Sequence, residues 1–480
     1  MLKSISLKNY KCFKDEITID IAPLTVLCGV NSSGKSSILK SLLILKQSYE
    51  NNYDSNSLLL NGNYTFNGTF NDVLNNESKN SFTIQDEFKI DNGTFLIKEE
   101  RNTLKEIADI FNYDYENINS VIITVNISVK KKKLEKLYIT DNVIQNYIIK
   151  VNTFFKNNNE STATAQLKIR TDNFYDIELD SFPHLNHATL KKCNCYFDGL
   201  KLVNLFFDKD ETIDYVNFSV FANVFSLFRI AALQYKGIKY IAPLRNEPDR
   251  TSLLLQDQTS VGLHGEFTSQ IIASYFDKDI SAILPPINDI LSLKTQKENL
   301  IDILNSWSNY LCIGNIEPYL SENSDSIKLI VNDHNIADVG FGVSQVLPIL
   351  TTGLLMKTRE SLILQQPEIH LHPNMQMNFA DYLLSLAIRN KNVIIETHSD
   401  HIINRITRRV MEDKTGSLHK LIKIYFVQGY NNECPIYKDI KFDPIDGLVN
   451  APNDFFTQFG SELMHITKTG MINLREGIVW

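Results

Sequence analysis

Long apolar runs are missing from this 480-residue sequence. None reaches the roughly 18 residues that a membrane-spanning helix needs, so no helical span and no membrane partner are expected. The opening MLKSISLKNY has no apolar h-region, so no secretory leader is read there and a cytoplasmic location is expected. Cysteine is scarce, with six residues, too few in a chain of this length for a disulfide framework. Cys193 and Cys195 stand too close together for the usual zinc-ligand spacing and read as structural thiols of a reducing compartment. Positive charge is not in excess: 48 Lys and Arg stand against 56 Asp and Glu, a net charge of −8 at pH 7. That excludes a globally basic surface and leaves nucleic-acid contact only to local patches. The clearest basic run, Lys130 to Lys133, reads as a solvated strand end or turn. Sustained heptads are absent, which argues against a long coiled-coil arm. No acidic metal-binding cluster of the topoisomerase-primase kind and no HNH pattern occurs, so no built-in nuclease is expected.

Composition is otherwise that of a globular protein, 43% hydrophobic and 22% charged, with length for two or three domains. Residues 2–8 and 16–21 alternate apolar and polar and predict a hairpin. The apolar run 24–28 predicts a buried strand, Gly29 breaks it, and 35–49 carries helical periodicity. Residues 50–80 read as loops, and 80–220 as a mixed, strand-bearing stretch. A helix is predicted near 217–235, then a strand at KGIKYIAP and a turn at PLRNEPDR. Residues 266–313 read as mainly helical, and 327–331 as a strand. Helices at 342–358, 373–389 and from 400 then alternate with the strands SLILQ and NVIIET, before a last hairpin at 421–441. Such β-α alternation implies a mostly parallel sheet covered by helices. A single head is thus expected to be built from both ends of the chain: 1–78 as its N-terminal lobe, 79–222 as an insertion, 223–425 as its C-terminal lobe, and 426–480 as a small C-terminal domain.

Gly29-Val30-Asn31-Ser32-Ser33-Gly34-Lys35-Ser36 matches the phosphate-binding loop G-x-x-x-x-G-K-[ST] in full. Its glycines let the backbone turn several N–H groups toward one centre, and the helix that follows adds its positive dipole end. Lys35 can neutralise β- and γ-phosphate oxygens, and the Ser36 hydroxyl can reach Mg²⁺. Asp338 to Gln345 places Gly340 and Gly342 before a helix; alone this marks a turn, but it resembles a degenerate ABC signature loop. Ser361 to Pro373 contains an apolar strand ending in Gln365 and Gln366. An ATPase needs a carboxylate at such a strand end to hold Mg²⁺ and a second to polarise the attacking water; here both positions are amides. Asn392 to Ser399 delivers His398 at the end of a further apolar strand, as a switch histidine is delivered. His370, His372, His398 and His401 have no nearby cysteine and do not read as a metal cluster. Asp400 with His401 reads as a helix cap with sugar or phosphate contact.

Together ISLKNYKCF, GVNSSGKS, QQPEIHLHP and ETHSDHIINRI resemble the SMC-, RecF- and OLD-like branch of ABC-type ATPases. More narrowly, Tyr240 to Arg245 (YIAPLR), Gly340 to Pro348 and Asp446 to Phe459 resemble a prokaryotic AAA-class family that includes the PtuA ATPases of Septu anti-phage systems, which act with a separate HNH nuclease. The resemblance implies an α/β fold: a P-loop ATPase head of ABC type with a mostly parallel sheet, a β-rich or mixed insertion and a small C-terminal domain. It implies ATP and Mg²⁺ as cofactors, held between head-to-tail subunits of a homodimer or higher oligomer. By carry-over, Lys11 and Phe13 would lie near the adenine. Asn31, Ser32, Ser33, Gly34, Lys35, Ser36 and Ser37 would hold phosphates, with Ser36 and Gln365 on the metal side. Gly342, Ser344 and Gln345 would form the signature loop, and Gln365, Gln366 and His398 the hydrolytic wall. Relatives carry acid at position 365, so three readings stay open: very slow hydrolysis, partial substitution by Glu368 or Glu396, or an engineered Gln365 that traps ATP. The implied role is a sensor and regulator of anti-phage defence controlling an HNH nuclease; the alternative is a RecF-like DNA-repair ATPase that clamps DNA directly.

Overall fold

The computed structural model describes residues 1–31, 33–50, 56–78, 80–93, 98–132, 141–171, 174–182, 185–206, 218–253, 258–320, 326–431, 434–445 and 447–452. Ser32, Lys133 and, of the expected C-terminal domain, 432–433, 446 and 453–480 lie outside the described residues.

A seven-stranded sheet carries the loop. Its strands run in the order Ile238–Ile241, Ser361–Gln365, Asn392–Glu396, Leu24–Gly29, Ile422–Asn431, Cys434–Asp443 and Gly447–Val449. The first five pair in parallel and the last two antiparallel. The sheet is thus mostly parallel, and the N-terminal strand Leu24–Gly29 lies between two strands from the far end of the chain. LTVLCG, SLILQ and NVIIE are buried at every position, as strands covered on both faces must be. Alternation divides them between two cores. Leu27, Ile363 and Ile394 face helix Lys35–Glu50 through Ile38 and Leu42. Val26, Leu362, Leu364, Val393 and Ile395 face helices Phe341–Leu355, Pro373–Ile388 and Asp400–Glu412.

A nine-stranded antiparallel sheet forms the second layer and runs, from one edge, Lys201–Phe206, Leu185–Asp198, Phe174–Phe182, Glu160–Thr171, Asn142–Phe155, Ile118–Lys131, Ser81–Asp91, Leu2–Lys8 and Ile17–Asp20. The N-terminal hairpin is its edge, because Ser81–Asp91 pairs with Leu2–Lys8. Burial along Ser81–Asp91 alternates without a break, so one face of this sheet is a core face. Helix Phe218–Leu233 closes that core, with Phe228 edge-on to Tyr147 at 4.7 Å.

The stretch 266–313, expected as mainly helical, is interrupted. Helices Thr268–Tyr275 and Leu300–Tyr310 flank a hairpin of Asp279–Ile283 and Thr295–Asn299. Pro285 and Pro286 cannot continue a helix, and Asn288 and Asp289 take positive φ (51° and 61°) in the connecting loop.

That loop is anchored by charge. Asp381, fully buried on helix Pro373–Ile388, accepts from Arg409 Nε (2.7 Å) and Arg405 Nε (3.0 Å) of helix Asp400–Glu412, and from Tyr310 Oη (2.6 Å). Asp289 meets the same Arg405 and Arg409 at 2.9 Å and also pairs with Arg408. Three segments are thereby locked to the helix that follows His398.

Removing one member of a buried ionic network costs about 3–5 kcal/mol, whereas an exposed pair contributes about 0–1. Asp381→Ala is therefore expected to lower the urea midpoint strongly and Arg408→Ala barely; equal midpoints would contradict the network's role. Burial tends to raise the Asp289 carboxyl, but the Arg408 hydrogen bond and the charges of Arg405, Arg409 and Arg408 outweigh it and hold it below its ordinary 3.8. Its stabilisation is present above that pH and lost as pH falls through the lower folded value. The melting difference between wild type and Asp289→Asn should stay flat from about pH 5 to 8 and shrink below about pH 4.

Candidate functional site

The strand Leu24–Gly29 ends where only glycine fits. Gly29 has φ +125°, and a Cβ there would lie 2.2 Å from the Val427 carbonyl oxygen of the neighbouring strand. Gly34 has φ +99°, and its Cβ would lie 2.5 Å from Cys12 Sγ. Between them the chain turns into helix Lys35–Glu50. Lys35 is buried; its Nζ donates to the carbonyls of Gly29 (3.1 Å) and Val30 (2.5 Å), across the loop's own mouth. Asn31, Ser33, Gly34, Lys35, Ser36 and Ser37 line one side of a cleft of about 550 Å³, within the range of small-molecule sites. Lys11, Cys12, Gln366, Glu396 and His398 line the rest.

At the far wall two strand ends stand in register, Gln365 opposite Glu396; Glu396 lines the cleft, whereas Gln365, expected on the metal side, sits behind it and does not. Tyr240 Oη donates to Gln365 Oε1 (2.7 Å), Gln365 Nε2 donates to Glu396 Oε2 (3.1 Å), and Ser36 Oγ donates to Glu396 Oε1 (2.6 Å). Gln366 follows with φ 44°, a left-handed backbone that is costly for a side-chain residue, secured by its N–H to Glu396 O at 2.7 Å. Glu368 Oε1 accepts the His398 backbone N–H (2.7 Å), so this carboxylate sets where the histidine segment lies. Burial raises the Glu368 carboxyl above its ordinary value. Burial, then the Lys35 charge, lowers the His398 imidazole, with Glu396 opposing, which favours the neutral ring. Beside them Arg245 is 4% exposed, and its guanidinium has no hydrogen-bond partner among the described residues. Burial brings Arg245 down to about 10, against the opposing charges of Glu368 and Tyr240.

A family model, the AAA ATPase domain, matches residues 1–403, a span that includes the loop, both strand ends and His398. The chain belongs to that family. No curated protein matches it in sequence. Among solved structures it is similar to the SmcHead bound to the C-winged helix domain of ScpA, with 11% identity, a TM-score of 0.42, and 92% of this chain and 98% of that one covered. It is similar to the SMC head domain from Thermotoga maritima (11% identity, TM-score 0.35, 92% and 99% covered). It is also similar to the Smc head domain with an extended coiled coil bound to the C-terminal domain of ScpA derived from Pyrococcus furiosus (8%, 0.41, 92% and 96%).

Membership of an ATPase family implies nucleotide binding, ordinarily with Mg²⁺. The donor set of this AAA ATPase domain fits such an ion: a serine hydroxyl and a carboxylate, both hard oxygen ligands, stand side by side at the helix start. Lys11 lines the cleft and donates to Asn67 Oδ1 (2.7 Å); burial, then Lys40, lowers it to about 8. Phe13 is buried behind the loop, 5.7 Å from the Tyr437 ring, and does not line the cleft. Gly342, Ser344 and Gln345 open helix Phe341–Leu355 away from it. Ser344 Oγ donates to Phe341 O (2.7 Å) and Gln345 Nε2 to Arg245 O (3.3 Å). The cap expected from Asp400 is made by Ser399, whose Oγ accepts Ile402 N–H at 3.1 Å, because Asp400 already lies in the first turn. Asp400 and His401 pair with each other at 3.7 Å and do not line the cleft. Sequence reasoning passed over Tyr240 as a site residue and named Glu396 only as a substitute. The signal for Glu396 was its place at the end of an apolar strand.

Glu368 and Arg245 should respond asymmetrically to truncation. Glu368→Ala leaves the His398 N–H without its acceptor and is expected to cost about 1–3 kcal/mol. Arg245→Met removes a buried cation that has no hydrogen bond to lose, and is expected to melt at the wild-type temperature or above. Thermal melts of both variants check this, and a large loss in Arg245→Met would contradict it.

Proposed function

We propose that the protein is an ABC-type ATPase that takes Mg-ATP in the 29–36 cleft and closes it with a second copy set head to tail. The observation that carries this reading is the separation of two half-sites within one chain. The loop, Glu396 and His398 share a cleft that Ser344 does not enter, while the helix bearing Ser344 starts at an exposed Phe341. Such an N-terminus offers N–H groups to an anion brought by another surface. ATP then acts as much as interface as fuel, and its binding selects the paired state.

In this reading the loop N–H groups donate to the phosphates and Lys35 offsets their charge, while Ser36 would hold Mg²⁺, which would supply further charge neutralisation. Gln366 and His398 orient water at the γ-phosphate, and Gly342, Ser344 and Gln345 of the second copy complete the site. Without a carboxylate at Gln366, turnover is slow, since loss of a general base costs about 10²–10⁴-fold. The head is formed by 1–78 and 223–449, with 79–222 inserted; the C-terminal domain expected from 426 starts later, because strands Ile422–Asn431, Cys434–Asp443 and Gly447–Val449 belong to the sheet that carries the loop. The resemblance to PtuA ATPases supports a further role as cytoplasmic sensor and regulator of an HNH nuclease partner in anti-phage defence.

Sedimentation of wild type and Lys35→Ala with ATP tests the pairing: wild type should shift to dimer or larger species and Lys35→Ala should not. Identical mass distributions sink the proposal. Hydrolysis that rises severalfold with added DNA and no nuclease would favour the DNA-clamping alternative instead.

A further inference from the structure

We infer that Glu396, one strand over from Gln365, is the carboxylate that holds Mg²⁺ together with Ser36, and that Gln365 braces it. This rests on the cleft being the Mg-ATP site.

Among the described residues Glu396 is the one acid that lines the cleft. It is 5% exposed and reaches the loop through Ser36 Oγ at 2.6 Å. A P-loop hydroxyl beside a carboxylate offers hard oxygen ligands of the kind Mg²⁺ takes together with substrate phosphates. Gln365 is turned away from that task. Its oxygen is occupied by Tyr240 Oη at 2.7 Å, which leaves its NH₂ facing Glu396 at 3.1 Å. An amide nitrogen offers no lone pair to a cation. It can donate to the outer oxygen of Glu396 and leave the inner oxygen toward Ser36. A Glu at 365 in this geometry would put two carboxylates in contact, so the pair accommodates one negative charge, and the residues present place it on the second strand. The amide at 365 is therefore matched to its neighbours, and position 396 supplies the charge missing from 365.

Calorimetry of ATP binding to the full chain, with Mg²⁺ and with EDTA, tests the assignment. Wild type should bind ATP more tightly with Mg²⁺. Glu396→Gln should lose at least about tenfold of that Mg²⁺ benefit while its affinity in EDTA is kept or raised. The double variant Gln365→Glu with Glu396→Gln returns one carboxylate to the pair and should recover part of the benefit. Should Glu396→Gln fail to fold, Glu396→Asp reads the same quantity, since it keeps the charge and withdraws the oxygen by one methylene. The inference is overturned by a Mg²⁺ benefit that survives in Glu396→Gln, by equal losses with and without Mg²⁺, or by a wild type indifferent to Mg²⁺. If wild type and Lys35→Ala both fail to bind ATP under either condition, the nucleotide-site reading itself falls.

Discussion

The strand Leu24–Gly29 is held by parallel ladders on both sides, and the rest of the head depends on that pairing. Leu27 stands level with Glu396 on one neighbour and with Tyr425 on the other. This register places the loop, the cleft acid and the histidine segment at the same end of neighbouring interior strands, in the crevice beyond the strand ends where open α/β sheets hold ligands. The partners come from the opposite end of the chain. Loop-closure entropy grows only logarithmically with length, so a long intervening segment adds little to the cost of meeting. Continuous burial of three apolar strands offsets it.

The intervening segment is not merely tolerated. Pairing of Ser81–Asp91 with Leu2–Lys8 makes the N-terminal hairpin the edge of a nine-stranded sheet. The core of that sheet is continuous with the packing of helix Lys35–Glu50. Loop helix and inserted strands thus share one apolar cluster. On the other face, Asp381 and the arginines of helix Asp400–Glu412 fix the element that follows His398 by charge rather than by apolar contact alone. The helix at the phosphate end and the helix at the histidine end are therefore held by different physics.

Charge at the cleft follows the register. A strand ending in two amides would leave a wall of hydrogen-bonding groups without countercharge for a cation. The adjacent strand end restores one carboxylate at the same height, oriented by Tyr240 and Gln365. Glu368 sits behind it with one oxygen on the His398 backbone, near an Arg245 whose guanidinium has no hydrogen-bond partner among the described residues. The buried polar groups here form a chain in which each member restricts the next.

Much of this was legible in the residues. Gly29 to Ser36 declares a phosphate loop because its glycines and lysine have few other joint uses, and the β-α alternation after residue 330 predicts the parallel sheet. The strand ends SLILQ and NVIIET are readable because full burial leaves no polar alternation. The hairpin at 279–299 was hidden, since short amphipathic strands flanking Pro285 and Pro286 sit between two true helices and blur into their periodicity. The Ser399 cap was obscured by the neighbouring Asp400, an equally good capping type. The sequence by itself determined that this chain carries a P-loop and that amides occupy positions 365 and 366, because both are local patterns. Which carboxylate faces Ser36, which way the Gln365 amide points, and that Ser344 lies outside the cleft were decided only by tertiary structure. Strand register and side-chain hydrogen bonding join residues hundreds of positions apart, and no local pattern encodes them.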